Sequence, residues 1–260
     1  MGVTWEADAL VATRSENVDR YKRNFLRQAV CELRFPTLME LGGARPPTSF
    51  VAAIRKEYPN LELANEVTLG IGGGSTTPNH AHIFRSAKHT WNVSLKQSSF
   101  SIETTAYTGY AQMKERALRV IEAASKIIDS DFFTRVAIRY INVLDKDDDP
   151  TDGWVNSDLV NPIRSGQFTG IHEYAGKIQL TADDGGCLLQ HGIRLRKLNG
   201  ESRASSEYLL DIDTYRNEVN VGDAEAALDA VHIQAFNMFD WALGPKGRGY
   251  LCAETVSTRG

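Results

Sequence analysis

The chain is poor in cysteine, has no long apolar run and carries no excess of basic charge. Its 260 residues include only three cysteines, Cys31, Cys187 and Cys252. An odd number spread so widely fits neither a disulfide framework nor a zinc knuckle and suits reduced thiols. No stretch approaches the ~20 apolar residues that a membrane span needs. The N-terminus lacks the charged, apolar and small-residue succession of a signal peptide, and position 6 holds no Ser or Thr for myristoylation. A cytoplasmic location without membrane attachment is therefore expected. The formal net charge of −4 removes any overall attraction to nucleic acid, leaving only a local basic patch to supply it. Absent too are a Gly-x-Ser-x-Gly elbow, a His-Glu-x-x-His pair and a Walker A loop. No catalytic residue, metal or cofactor is assigned on these grounds, and the reading leans away from an enzyme.

What is present is the pattern of a folded α+β protein. Hydrophobic residues make up 42% and charged residues 24%, enough apolar material for a sizeable core under a solvated surface. Residues 1–24 read as a polar lead-in. In "LRQAVCELRF", Ala29, Cys31, Leu33 and Phe35 alternate with Gln28, Glu32 and Arg34, the period-two signature of a half-buried strand. Thr48 or Ser49 is placed to cap a short helix, and strands are expected near 61–69, 81–87, 90–96 and 100–104. A helix over 108–128 follows, with Met113, Ala117, Val120, Ile121, Ala124 and Ile128 at helical spacing.

The same order then recurs. "FTRVAIRYINVL" is a strong strand, a short helix is expected at 157–164, and strands at 172–182, 187–197 and 207–214. A closing helix from Asp223 to Leu243 buries Leu228, Val231, Ala235, Phe239 and Leu243, and "GPKGRG" is read as its stop. The expectation is two tandem β-α-β(3–4)-α units, 25–130 and 131–244, followed by a tail over 245–260. Together they would build one extended antiparallel sheet with two long helices packed on one face, in one compact domain. That order is similar, in topology alone, to the duplicated saddle of TATA-box-binding-like domains.

Four segments, "NFLRQAVCELRF", "RVAIRYIN", "LLDIDTY" and "AVHIQAFNMF", carry a further likeness that runs over most of residues 21–243. Through them the chain resembles a sporadically distributed family of functionally uncharacterised bacterial proteins of about 250–260 residues. The resemblance implies a single-domain α+β protein with an unidentified partner. The scattered distribution associates such proteins with antiphage defence or toxin control.

Several local patterns suggest chemistry and each has a plainer explanation. "LGIGGGSTTP" lacks the Lys that completes a phosphate cradle and reads as a hairpin loop. His80 and His82 share a strand face but want a third metal ligand. The acidic run from Asp145 alternates like a calcium loop, yet Pro150 stands where Gly is needed and Asn156 where Glu should be. Asp211 and Asp213 share a strand face that could hold Mg²⁺. Arg194 and Arg196, on the preceding strand, would offset them as a cross-strand ladder, Arg196 with Asp211 and Arg194 with Asp213. His232 borders the apolar stripe of the last helix, and Arg139, Tyr140 and Asn142 occupy one strand.

The outward strand positions form a broader pattern. Gln28, Glu32, Arg34, Asn92, Ser94, Lys96, Glu103, Lys177, Gln179, Arg194, Arg196, Asp211 and Asp213 would line a polar sheet face of mixed sign. Such a face suits a protein or polar ligand better than a duplex, which wants clustered Lys and Arg. The binding residues expected are Arg34, Arg139, Tyr140, Arg194, Arg196, Asp211, Asp213 and His232. The leading function is non-catalytic binding of a macromolecular partner, a protein encoded nearby. One alternative is a small-molecule or nucleotide sensor with a pocket at Arg139, Tyr140 and His232. The other is a metal-dependent hydrolase using Asp211 and Asp213, or His80 and His82. The oligomeric state is not legible.

Overall fold

In a computed structural model, residues 3–66, 79–146, 149–196 and 205–254 are described. They form an α+β protein whose nine strands belong to one antiparallel sheet, in the order β2-β3-β4-β5-β1-β6-β9-β8-β7. In chain order the strands are β1 (Leu26–Arg34), β2 (Asn60–Glu66), β3 (Asn79–Arg85), β4 (Trp91–Leu95), β5 (Ser99–Thr104), β6 (Phe132–Leu144), β7 (Glu173–Ala182), β8 (Gly185–Arg196) and β9 (Ser205–Asn220). The α-helices are α1 (Thr48–Ile54), α2 (Tyr110–Ser125), α3 (Ser157–Arg164), α4 (Ala224–Ala242) and α5 (Pro245–Cys252). No helix among the described residues is long and apolar enough to cross a membrane.

The contacts separate into two units. The first comprises 1–3, 29–138 and 215–229, and the second 4–28, 139–214 and 230–260. In the first, the alternation expected for β4 is realised: Trp91, Val93 and Leu95 are buried while Asn92 and Ser94 are half-exposed. β5 pairs with it in register, Val93 opposite Ile102 and Leu95 opposite Phe100, so apolar residues meet across the strands. α2 lies against β5 and α1, burying Met113, Ala117, Val120, Ile121 and Ala124. Arg116 ties these pieces together, donating to Glu57 and Tyr58 and stacking 4.7 Å from the centre of the Trp91 ring. Phe50 meets Phe84, and Phe100 touches both Phe35 and Phe133. Pro47, not Thr48 or Ser49, occupies the N-cap of α1, and no side chain among the described residues caps that N-terminus. The glycine-rich segment 70–78 lies outside the described residues.

In the second unit, β7 and β8 form a hairpin of ten register pairs from Glu173↔Arg194 to Ala182↔Gly185. The polar lead-in is ordered against α4. Gln234 donates to the Ala7 carbonyl, Ser15 N–H donates to Asn237, and Tyr21 bonds Asp240 while stacking on Phe236. Those contacts explain why α4 buries polar residues among its apolar ones: Gln234, Asn237 and Asp240 have the lead-in as partner. The stop expected at "GPKGRG" is brief. Pro245 opens α5, which lays Tyr250 on Phe25 and buries Leu251 completely.

Candidate functional site

Alternation along β6 and β9 sends neighbouring residues to opposite faces, and this sorts the candidate residues into two groups within the second unit. One face carries Arg139, Asp211 and Asp213, joined by Arg194 and Glu207. The other carries Tyr140, which meets His232 of α4.

On the polar face, Arg139 grips Asp211 with two donors, Nε to Oδ1 at 2.7 Å and Nη2 to Oδ2 at 2.5 Å. The Asp211 side chain is 8% exposed and that of Arg139 46%. The carboxylate is thus an anchor beneath a guanidinium that remains half in solvent. The Asp211 hydrogen bonds raise the Arg139 pKa above its ordinary value, against the cost of burial, and the Asp213 charge adds to this. Arg194 is anchored the same way through Nε on Glu207, whose side chain is 3% exposed against 59% for the arginine. Glu207 and Asp211 stand four residues apart on one strand face, so the two anchors are about 13 Å apart.

The observed partners differ from the predicted ladder. Arg194 binds Glu207 and Asp211 binds Arg139, where Arg194–Asp213 and Arg196–Asp211 pairs were expected. The cause is register and strand order: β9 is flanked by β8 and β6, so a β6 arginine competes for its acids. Arg196 ends β8, and its side chain lies outside the described residues. Arg34 belongs to the first unit and pairs there with Glu32, near which Arg135 also stands at 3.9 Å. Arg135 lies 4.5 Å from the centre of the Tyr215 ring, while Asn92 donates to Glu103.

Behind the polar face, Tyr140 and His232 come together without Arg139, which alternation puts on the opposite side, so the three do not line one site. The Tyr140 hydroxyl is 3.0 Å from His232 Nδ1, and His232 Nε2 is 3.2 Å from Asp19 Oδ1. A carboxylate can only accept, so in the neutral tautomer that satisfies both contacts Nε2 donates to Asp19 and Nδ1 accepts the tyrosine proton. Both rings are buried. Asp19, contributed by the lead-in at φ 56°, carries no sequence signal that could have placed it, standing 213 residues from its partner. Glu207 had one: it alternates in phase with Asp211 and Asp213.

His82 is fully buried, and neither ring nitrogen has a hydrogen-bond partner of normal geometry among the described residues. Desolvation lowers its pKa, while nearby Leu41 and Gly43 backbone groups pull the other way. The acidic loop's side chains are engaged by cations: Asp145 with Arg27 and Lys146, Asp152 with Arg164 and Lys246. Residues 147–148 lie outside the described set. No group of three or more His, Cys, Asp or Glu side chains suited to a metal ion occurs among the described residues. A cleft of about 340 Å³ in the second unit is bordered by Thr151, Asn156, Ser157, Arg164 and Arg248.

No protein-family model matches the chain, and a search of curated proteins likewise found no match.

Proposed function

We propose that the protein is a non-catalytic binding protein, and that the Arg139–Asp211 and Arg194–Glu207 pairs are the centre of its polar docking face. The observation that carries this is the asymmetry of exposure within each pair. A buried carboxylate holds one edge of each guanidinium and leaves other donors of a half-exposed arginine to meet a partner. A guanidinium held in place loses less side-chain freedom when it forms new hydrogen bonds, and its planar donor set matches carboxylate groups. The partner favoured is a protein presenting acidic or amide side chains, as expected for a product encoded nearby in a defence or toxin-control system. Net negative charge argues against nucleic acid.

The finer architecture belongs to the same proposal. Element order β1-α1-β2-β3-β4-β5-α2 followed by β6-α3-β7-β8-β9-α4 supports a tandem duplication. Similarity to the duplicated saddle domains remains a reading of topology.

Co-purification with products of neighbouring genes tests the function. Arg139→Ala and Arg194→Ala, each verified as folded by circular dichroism, are expected to weaken capture at least tenfold. Capture unchanged by both substitutions removes the polar face as the docking site. The cleft bordered by Arg164 and Arg248 favours a second reading, a small-molecule sensor, because its volume lies within the range of ligand pockets. A thermal-shift series with nucleotides and anionic metabolites should then show stabilisation that Arg164→Ala abolishes.

A further inference from the structure

The outer strand β7 presents a feature that the docking face does not use. It ends the sheet, and all ten of its residues keep some solvent exposure. Along its inner side it pairs with β8 over its full length without a bulge. Natural edge strands are usually blunted by proline, bulges, shortness or several charges, because unpaired N–H and C=O groups recruit other strands. "EYAGKIQLTA" has no proline, and its only charges are Glu173 and Lys177.

Those two charges specify what fits. In a two-fold antiparallel pairing of this strand with itself, the residue on the axis faces its own copy, and residues equidistant from it face each other. With the axis at Ala175, Glu173 faces Lys177 of the second copy on both sides of the axis. Tyr174 then faces Gly176, large against small. An axis at Lys177 would set two ammonium groups against each other, and one at Gly176 would set Glu173 against Gln179. The pairing at Ala175 also prolongs an existing alternation of sign. Glu207 holds Arg194, Arg194 stands opposite Glu173, and Glu173 would meet Lys177 of the second copy.

We infer that β7 is a homodimerisation edge, pairing antiparallel with β7 of a second copy about Ala175. The partner is another molecule of this chain, engaged by main-chain hydrogen bonds and two symmetry-related Glu173–Lys177 pairs.

The test uses the full chain with Cys252→Ser, which removes its exposed native thiol. Ala175→Cys is expected to give a disulfide-linked dimer under mild oxidation, because facing Cα atoms in such a pair lie about 4.5–5.5 Å apart. Thr181→Cys lies on the same strand face, but its two copies would stand about 40 Å apart, so it should stay unlinked. Glu173→Lys should raise the dimer dissociation constant about tenfold, and adding Lys177→Glu should restore it. Four results overturn the inference. They are a monomer by light scattering at every concentration, an unlinked Ala175→Cys, equal linkage at both cysteines, and a double swap that fails to restore association.

Discussion

At the scale of single residues, burial of neutral histidine has the clearest consequence. His82 and His191 are both buried, and desolvation holds both below their ordinary pKa of 6.5. In the unfolded chain they take up protons near that value, whereas the folded state resists. Their contribution is therefore intact above about pH 6.5 and is lost as pH falls toward the lower folded values. The loss approaches ~1.4 kcal/mol per pH unit for each histidine across that window. Urea titrations at neutral and mildly acid pH measure it. His82→Leu should reduce the acid loss and, by removing an unsatisfied polar group, raise neutral stability by up to about 1 kcal/mol. His191 keeps its share in that variant, because the burial that lowers its pKa is untouched by the substitution. A second residue-scale expectation concerns Arg139. Arg139→Ala strands a carboxylate that is 8% exposed and should cost about 1–2 kcal/mol, the arginine's exposure tempering the full buried-pair penalty. Adding Asp211→Ala should cost less than the two single substitutions summed, and a double-mutant cycle of denaturant midpoints reads the coupling.

At the scale of elements, close backbone packing decides one prediction and long-range partnership another. Gly192 on β8 sits so near Tyr174 that a Cβ would overlap the Tyr174 carbonyl oxygen. Backbone cannot yield as a flexible side chain can. Gly192→Ala should therefore destabilise by about 1–3 kcal/mol, the usual cost of forcing atoms into a packed region. Hydrogen exchange should show opening concentrated in β7 and β8. Strands with strict alternation are legible in the sequence: β4 and β1 bury the residues that period two selects. The lead-in was not, because its order comes from bonds to Gln234, Asn237 and Asp240, more than 200 residues away. α5 was hidden for a different reason. Gly244 and Pro245 serve at once as the stop of α4 and the start of the next helix, and local sequence shows only the stop. The candidate site was half legible. Alternation identified Asp211, Asp213 and Arg194 as outward, whereas choosing among their partners required the order of strands.

At the scale of the whole molecule, thiol accessibility offers a simple probe of native packing. Cys31 and Cys187 are buried and Cys252 is exposed. Burial pushes the Cys31 thiol up to about 12, so at neutral pH it holds almost no thiolate. One thiol should react with Ellman's reagent in the native protein, and all three after denaturation. Two fast thiols under native conditions would contradict the packing around β1 and β8. The chain path has another consequence, for synthesis. Residues 4–28 share a unit with 230–260, so Asp19 and Tyr21 leave the ribosome long before His232 and Asp240 exist. That segment is made some 200 residues ahead of its partners, so it finds its place late and until then is open to chaperones and proteases.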